Sequence, residues 1–422
     1  MNTKQRIVRI ITILILFFAF ASTVSIGFAY WDNLAQDTNE NMNIGDWGIP
    51  ISTAQEFYDF AMKTNSATTD RYFLLNDIDF SGFNWIYTST NNAVTFRGLL
   101  DGNGKTLSNL TLYINSSSYS YLGIFPRMSG GAVYNLTLDN VNLSLGSTAL
   151  GGTALRSGLI TGNIYGATNT ISDITILNSG VRGTSTAGTG GLVGSVTGST
   201  TIVNIDNIKA TSIKVFTKTS SAGGLVGYVS TGGAQIHVSD IDLEGEVFAY
   251  ALSSYTGGII GRVVSGGKVT IDRIVLDVTS RNTLETNSTY YNRYSQRYLG
   301  GFVGYSQSVS ANILISDAFF TGSLFTQSSS RASNVGTATG SFSSTSTRPT
   351  LLRTFYSQVI FSSSSGTIVY TPSNTPTGQM AILVNAATMP SPTWWNDFAS
   401  AGNFSSDLWG QDVATGRLYL IR

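Results

Sequence analysis

Gly191-Leu-Val-Gly194 is the stretch that decides the fold, because its pattern of two apolar residues between two glycines returns along the chain. Close copies follow at Gly224-Leu-Val-Gly227, Gly258-Ile-Ile-Gly261 and Gly301-Phe-Val-Gly304, and looser ones stand at Gly158-Leu-Ile-Thr-Gly162, Tyr121-Leu-Gly123-Ile-Phe and Gly336-Thr-Ala-Thr-Gly340. The leading glycines at 123, 158, 191, 224, 258 and 301 are separated by 35, 33, 33, 34 and 43 residues. A period this regular predicts a stack of similar units.

Each unit consists of short strands. The unit that begins at Gly191 has strand-like runs at 191–196, 201–210 and 212–218, with alternating apolar residues and Gly, Ser or Thr at the corners. Three strands per unit, stacked on their counterparts, predict an all-β fold: a right-handed parallel β-helix of 33–35-residue turns, spaced about 4.8 Å apart. An antiparallel meander or a propeller is the competing interpretation. Both favour hairpin turns such as Asn-Gly at fixed places, and the chain lacks a regular set.

The composition agrees with a β-rich fold and excludes several classes of function. Of 422 residues, 42% are hydrophobic and only 11% are charged, so Ser, Thr, Asn and Gly must supply the polar surface. Because 24 basic residues balance 24 acidic ones, there is no electrostatic reason to expect a nucleic-acid partner. The chain has no cysteine and one histidine, His237, which excludes disulfides, thiolate metal sites and His-cluster metal sites.

The amino terminus has the pattern of an export signal. Lys4, Arg6 and Arg9 precede an apolar stretch at 10–21, and small residues around Ala29 supply a cleavage site before the sequence becomes polar. The pattern predicts a signal peptide over 1–29 and a secreted, extracellular or cell-surface protein. Because about 20 apolar residues can cross a bilayer, an uncleaved anchor is the alternative, and it is the one membrane contact that we expect.

The Gly-Leu-Val-Gly elements resemble the GLUG motif of bacterial surface and secreted β-helix proteins. The preceding block is similar to the start of such domains, in Ile51-Ser-Thr-Ala-Gln-Glu-Phe-Tyr, Tyr72–Asp79, Trp85 and Phe96–Leu110. The junction Phe28-Ala-Tyr-Trp-Asp32 also resembles signal peptides of biofilm-matrix proteins. The first resemblance covers roughly residues 45–325. It implies the fold more strongly than the function, since the motif occurs in adhesins, in surface arrays and beside unrelated peptidase domains.

Capping elements are predicted at both ends of the stack. Residues 51–60 form the expected amino-terminal helix, with an N-cap and a nearby carboxylate in Ser52-Thr-Ala-Gln-Glu, and with Phe57, Phe60 and Ala61 facing inward. Prolines and tryptophans in the last fifty residues predict a cap on the last turn. The expected organisation is therefore a signal or anchor (1–29), an amino-terminal cap with the first turns (30–120), the GLUG-like stack (121–325), and a Ser/Thr-rich segment with final strands and cap (326–422).

A column of polar residues recurs 12 to 16 positions after each leading glycine, just before an apolar strand. Its members are Asn135, Asp173, Asn207, Asp240, Arg273 and Asp317. If the turns stack in register, these side chains form a ladder at one corner. No two carboxylates are adjacent in the column, which favours a structural ladder, since a calcium or catalytic site would cluster them.

The one break in the repeat lies between Gly258 and Gly301, where about ten extra residues fall near 281–297. Aromatic and arginine side chains concentrate there: Tyr290, Tyr291, Arg293, Tyr294, Arg297 and Tyr298. Such side chains on a projecting loop are suited to a glycan or protein partner through stacking and planar hydrogen bonds. A loop folded against the flank of the stack is the alternative.

These features favour an exported, non-enzymatic, adhesin-like surface or matrix protein that presents loops from a rigid stack. Its expected partner is a glycan or protein, and the sequence assigns it no cofactor, metal-binding or catalytic residues. One alternative is a polysaccharide lyase or glycoside hydrolase, but such enzymes concentrate carboxylates in a groove and the acidic residues here are spread along the chain. A second alternative is a fibre-forming biofilm-matrix component that associates with itself.

Overall fold

A computed structural model describes residues 48–63, 70–87, 94–114, 119–145, 155–183, 188–217, 220–230, 232–249, 254–264, 266–282, 297–307, 312–326, 335–342, 349–356, 361–363, 366–368, 382–383, 392–402, 404–412 and 417–421. These residues form 36 strands and two helices, all within the compact unit 49–422. The predicted signal or anchor at 1–29 lies outside them. Neither helix in the described part of the chain is long or apolar enough to cross a membrane.

The strands are short in the first turns and longer in the middle of the stack. The first eleven are β1 (Ile49–Ile51), β2 (Arg71–Leu74), β3 (Ile78–Asp79), β4 (Trp85–Ile86), β5 (Thr95–Phe96), β6 (Leu99–Ser108), β7 (Thr111–Ile114), β8 (Tyr121–Leu122), β9 (Phe125–Met128), β10 (Ala132–Asp139) and β11 (Asn142–Leu145). The middle turns contain β12 (Arg156–Ser157), β13 (Thr161–Tyr165), β14 (Thr168–Leu177), β15 (Gly180–Gly183), β16 (Thr189–Gly190), β17 (Val193–Thr197), β18 (Ile202–Thr217), β19 (Ser220–Gly223), β20 (Val226–Val229), β21 (Gln235–Ala249), β22 (Ser254–Gly257), β23 (Ile260–Val263) and β24 (Lys268–Asn282). The last are β25 (Arg297–Gly300), β26 (Val303–Ser306), β27 (Asn312–Phe320), β28 (Ser323–Thr326), β29 (Val335–Gly336), β30 (Thr339–Phe342), β31 (Thr350–Tyr356), β32 (Phe361–Ser363), β33 (Gly366–Ile368), β34 (Ile382–Leu383), β35 (Trp409–Gln411) and β36 (Leu418–Leu420).

These strands form three stacked sheets and one small hairpin. The first sheet has 19 strands and contains the long strands β18, β21 and β24; the second has seven, from β8 to β29; the third has eight, from β5 to β30. Every turn-to-turn pairing between consecutive strands of the second and third sheets is parallel. The fold is a parallel β-helix, as the sequence predicts.

Register aligns one buried residue of each turn with its counterpart in the next. One such interior column on the first sheet is Leu100, Val133, Ile171, Ile205, Val238, Ile271 and Ile315, all buried. β-Branched side chains suit this position, because they pack well on a pleated surface and have few rotamers to lose. The alternation of apolar and polar residues along each strand therefore indicates which side chains enter the core.

The glycine motif is the corner at which the second sheet turns into the third. A Cβ on Gly224 would lie 2.0 Å from the carbonyl oxygen of Gly258, and one on Gly258 would lie 2.2 Å from that of Gly301. The carbonyl of Ile259 in the next turn accepts the backbone N–H groups of both Leu225 and Val226. Glycine is required here because consecutive turns approach within contact distance of the backbone.

Strand register refines the alignment of the earliest copies. Because Leu122 pairs with Ser157 and Ser157 pairs with Thr189, Gly123 and Gly158 are the counterparts of Gly190 rather than of Gly191. The weak copy at 336–340 is a complete corner, since Gly300 pairs with Gly336 and Val303 with Thr339. The stack thus continues through the segment that sequence analysis describes as Ser/Thr-rich.

The first helix, α1 (Ala54–Ala61), covers the start of the stack. Thr53 is its N-cap, and Thr53 and Glu56 form a reciprocal capping box. Phe57, Phe60 and Ala61 are buried, as predicted. Phe60 packs edge-on against Phe96 and Phe125 of the first two strands of the third sheet. These contacts cover apolar surface that the first turn would otherwise expose.

The carboxyl-terminal segment, which comprises α2 (Pro392–Ala401) and the hairpin of β35 and β36, packs on the outer face of the first sheet. Phe319 contacts both Trp394 and Trp395, and Phe355 contacts Trp394. The Lys209 ammonium donates to the carbonyl of Leu420 at 2.8 Å. The aromatic cluster therefore lies along the flank of several turns, whereas the sequence analysis places it as a cap on the last turn.

Candidate functional site

The predicted ladder is a continuous column of residues in the left-handed backbone conformation. Its six predicted members and Arg353, which follows in register, have φ between +41° and +57°. Asn and Asp adopt this conformation more readily than most residues, which accounts for five of the seven turns. Arg273 and Arg353 depart from that preference, and each forms an ion pair with the aspartate one turn earlier.

Charge alternates along the ladder. Arg273 donates from Nε and Nη2 to the two carboxylate oxygens of Asp240, at 2.9 and 2.6 Å. Asn207 donates to Asp173 at 2.7 Å, and Arg353 pairs with Asp317 in the same two-bond manner as Arg273. Among the described residues, no group of three or more His, Asp or Glu side chains could hold a metal ion. Three pairs of neighbouring turns are thus joined through the ladder, although Asn207 Oδ1 is buried without a hydrogen-bond partner among the described residues. These pairs make the column a structural element of the stack.

A second alternating column lies one residue before the ladder. Ser239 donates to Asp206 at 2.5 Å, and Ser316 donates to Asp272 at 2.6 Å. Burial raises the pKa of Asp206, and the nearby carboxylates of Asp240 and Asp173 raise it further against the hydrogen bond from Ser239. The sequence signal for this column, Asp and Ser alternating just before the ladder, was available but was not identified.

The insertion in the repeat is placed by register between Asn282 and Arg297. In the preceding turn four residues, 250–253, connect Ala249 to Ser254; here fourteen residues, 283–296, connect Asn282 to Arg297, so ten are extra. The predicted contact residues Tyr290, Tyr291, Arg293 and Tyr294 lie outside the described residues. Arg297 begins β25 opposite Ser254. The insertion thus connects Asn282 of the first sheet to Arg297 of the second, and Tyr298 is the next residue of β25.

Tyr298 belongs to a cluster that spans three turns at the glycine corner; we call it the corner cluster. Its members are Tyr228, Tyr255, Arg262, Tyr298 and Tyr305. The ring centroid of Tyr298 lies 5.1 Å from that of Tyr255 and 4.3 Å from that of Tyr305, and both pairs of rings are stacked. The guanidinium of Arg262 lies 4.4 Å from the ring centroid of Tyr255 and 5.6 Å from that of Tyr228. Arg262 also donates to Gln307.

Strand register explains how these residues meet. Tyr228, Arg262 and Tyr305 directly follow the second glycine of their motifs and pair in register on the third sheet. Tyr255 and Tyr298 pair on the second sheet, three residues before the first glycine. Since the glycines bring the two sheets close together, the outward side chains on either side of the corner come into contact. Sequence analysis identified Tyr298 but missed the other four, although their fixed offset from the motif was visible.

Near the start of the stack, three residues of the same two columns, Tyr121, Arg127 and Arg156, form a similar group with Tyr165, which lies two residues beyond the column. The guanidinium of Arg127 lies 5.6 Å from the ring centroid of Tyr121 and 5.5 Å from that of Tyr165, and Arg156 lies 5.4 Å from Tyr121. Between the two groups the columns hold small polar residues such as Ser195 and Ser221. Arginine and tyrosine therefore mark two places along one edge of the stack.

Burial determines the electrostatics of the corner cluster. Only 7% of Tyr298 is exposed, and burial raises its pKa to about 12, with the phenols of Tyr305 and Tyr255 adding to the rise and Arg262 opposing it. Burial also raises the pKa of Tyr305. The cluster is thus neutral apart from Arg262 at physiological pH. It offers aromatic rings, phenol hydroxyls and one guanidinium, groups that are suited to recognition by stacking and hydrogen bonding.

We expect the protein to lose stability as the pH rises from about 10 to about 12, because folded Tyr298 keeps a proton that the unfolded chain releases at its ordinary pKa of about 10. Tyr298→Phe keeps the ring and should remove that part of the loss. Melting temperatures of both proteins across this pH range, with the ultraviolet absorbance of phenolate as a second readout, measure the effect. Identical pH profiles for the two proteins would contradict the assignment.

Comparisons with known proteins show the fold but identify no family. No family model matches the chain. A crystal structure of a candidate immunoglobulin A1 protease from Bacteroides ovatus has a similar fold, with a TM-score of 0.52 and 14% identity, covering 89% of this chain and 92% of that one. Halomucin of Haloquadratum walsbyi is 39% identical over 94 residues, which is 21% of this chain. The match spans 1% of the length of halomucin.

Proposed function

We propose that the chain is an exported, non-enzymatic, adhesin-like protein of the cell surface or extracellular matrix, which binds a glycan or protein partner at the corner cluster and the adjoining insertion. The observation that carries the proposal is the position of the 14-residue connection 283–296, which leads directly into Tyr298 of a half-buried tyrosine–arginine cluster. The parallel stack supports such a role because it holds the cluster on rigid strands rather than on a loop. The export pattern at 1–29 and the short similarity to halomucin support an extracellular or surface location.

An enzyme that degrades polysaccharides is the second candidate, since parallel β-helices provide long grooves along a sheet. Against it, two aspartates of the ladder on the first sheet, Asp240 and Asp317, are each 4% exposed and paired with arginine. A carboxylate in a two-bond pair with arginine is poorly suited to take up or donate a proton. We therefore favour binding over catalysis.

The experiment replaces residues 283–296 with the four-residue connection 250–253, which joins the same corner one turn earlier. Because the flanking strands pair in register, the swap should leave the stack intact. Binding to a glycan array and to a panel of extracellular proteins should be lost or fall at least tenfold for ligands of the parent chain. Unchanged binding by the swapped chain would overturn the site assignment.

A matched control shortens the connection 327–332, which corresponds to 250–253 and 283–296 by strand register, to four residues. This connection has no tyrosine, so its shortening should leave binding unchanged. Cleavage products from any bound glycan would favour the enzyme, and ordered filaments of the purified chain would favour a fibre-forming matrix component. Either result would replace the binding proposal.

A further inference from the structure

A groove of about 510 Å³ lies on the outer face of the first sheet, on the part of its strands that follows the ladder. It crosses β11, β15, β18 and β21, and its lining residues include Asn142, Gly180, Lys214 and Glu246. These four are counterparts on successive turns by strand register. None of them belongs to the ladder, the corner cluster or the insertion.

Gly180 lines the groove, at a position where this outward column lacks a side chain. A Cβ built there would come no closer than 3.2 Å to the Oδ1 of Asn142 and 3.5 Å to the backbone oxygen of Lys214. Unlike the glycines of the corner, Gly180 can therefore take a Cβ once the Asn142 side chain shifts by a few tenths of an ångström, because no backbone atom lies closer than 3.5 Å. The groove exists because this position is glycine, although the packing of the stack does not demand it.

One wall of the groove is an aromatic column that holds an arginine. Phe216 and Phe248 stack with ring centroids 5.6 Å apart, and the guanidinium of Arg182 lies 5.2 Å from the ring centroid of Phe216. This cation–π contact restricts the arginine without using its hydrogen-bond donors. Among the described residues, Arg182 and Lys214 make no hydrogen bond or ion pair, and both side chains are exposed.

Two cations therefore face the groove from neighbouring turns. Arg182 and Lys214 are offset by one turn, about 4.8 Å, and by two residues along the strand, about 6.6 Å. That spacing suits one carboxylate held between a planar guanidinium and an ammonium. Glu246 and the Oδ1 of Asn142 add acceptors, which suit hydroxyl donors on the same ligand.

From this arrangement we infer that the groove binds a carboxylate-bearing polysaccharide, with a uronic acid carboxylate between Arg182 and Lys214 and sugar hydroxyls at Asn142 and Glu246. An acidic peptide fits less well, because its side chains would meet the Glu246 carboxylate with no hydroxyl to donate. Clefts of this size with apolar walls and a few polar groups are typical of sites for small ligands, and a short stretch of sugar units is of that size. This site is separate from the corner cluster, and its test does not depend on the proposed function.

The test measures binding of the full chain to a hexamer of galacturonic acid by isothermal titration calorimetry at about physiological ionic strength, where weak non-specific attraction is screened. Arg182→Gln and Lys214→Gln should each weaken binding about tenfold, and the fully methyl-esterified hexamer should not bind. Gly180→Val should abolish binding by filling the groove while every charge stays in place. Lys268→Gln, an exposed lysine of the same sheet outside the groove, is the matched control and should leave binding unchanged.

Three results would overturn the inference: no binding of the hexamer, equal binding of the hexamer and its methyl ester, or equal binding of poly-L-glutamate. The last would indicate a general anion surface, or a peptide site. Because Gly180→Val adds bulk without removing charge, unchanged binding by that variant would also place the ligand elsewhere. Circular dichroism of each variant shows whether the stack is intact. A loss of binding by a variant with a native spectrum is therefore attributed to the change in the groove.

Discussion

Gly224→Ala should destabilise the protein by about 3 kcal/mol or more, because the new methyl group would lie 2.0 Å from the Gly258 carbonyl oxygen in the next turn. Because the contacted atom belongs to the backbone, no side-chain rotation can relieve the contact. Separating the two turns would instead weaken the N–H bonds that Leu225 and Val226 donate to Ile259. Thermal and urea unfolding followed by circular dichroism measure the loss. A melting temperature close to that of the parent chain would contradict this account of the motif.

Gly267→Ala is the matched control for that substitution. Its added methyl group would meet the Val229 side chain at 3.3 Å and no backbone atom closer than 3.8 Å, so only side-chain atoms need to shift. Replacing glycine with alanine at an unstrained position stabilises a protein by up to about 1 kcal/mol, because alanine lowers the conformational entropy of the unfolded chain. The effect should therefore stay within about 1 kcal/mol in either direction. A large loss in both variants would show that any added methyl group disturbs the stack, whatever its contacts.

The regular part of the fold could be predicted because its physical cause repeats. The glycine motif must recur wherever two turns meet at contact distance, and the inward positions must stay apolar, so the period and the strands are visible in the sequence. The ladder was found for the same reason: one backbone conformation recurs at each turn and selects Asn or Asp. The capping helix carries its own local signal in Thr53 and Glu56.

The features that the sequence does not predict depend on contacts between residues far apart in the chain, which leave no pattern in the local sequence. The run Ala318-Phe319-Phe320 is apolar throughout, so alternation cannot show that Phe319 points outward, away from the interior of the stack. Register places Phe319 in a column with Lys209, Asp242, Val275 and Phe355. That column is where the carboxyl-terminal segment packs, and a partner so far along the chain leaves no trace in the local pattern. The sequence does not predict the groove at Gly180 either, because a glycine in a chain rich in glycine does not stand out as a binding position.

Asp240→Asn should cost about 3 kcal/mol, near the lower end for breaking a buried ion pair, because the Arg273 guanidinium still reaches water. Asparagine is the informative substitution: it tolerates the left-handed conformation at this position, and its carbonyl can still accept the indole N–H of Trp409, now 2.8 Å from the carboxylate. The loss of unfolding free energy therefore measures the removed negative charge rather than a change in side-chain shape. Urea unfolding gives the free energy, and hydrogen exchange of 404–412 shows whether the carboxyl-terminal segment loosens first.

The control for Asp240 is Asp272→Asn, which removes the other carboxylate paired with Arg273. The Asp272 side chain is 24% exposed, against 6% for Asp240, so water can replace much of its contact. Exposed pairs contribute at most about 1 kcal/mol, and the cost should stay below that value. Equal losses at the two positions would mean that burial does not decide the strength of these pairs. Faster hydrogen exchange of 404–412 in Asp240→Asn but not in Asp272→Asn would show that the ladder also anchors the carboxyl-terminal segment, because one carboxylate oxygen serves both Arg273 and Trp409.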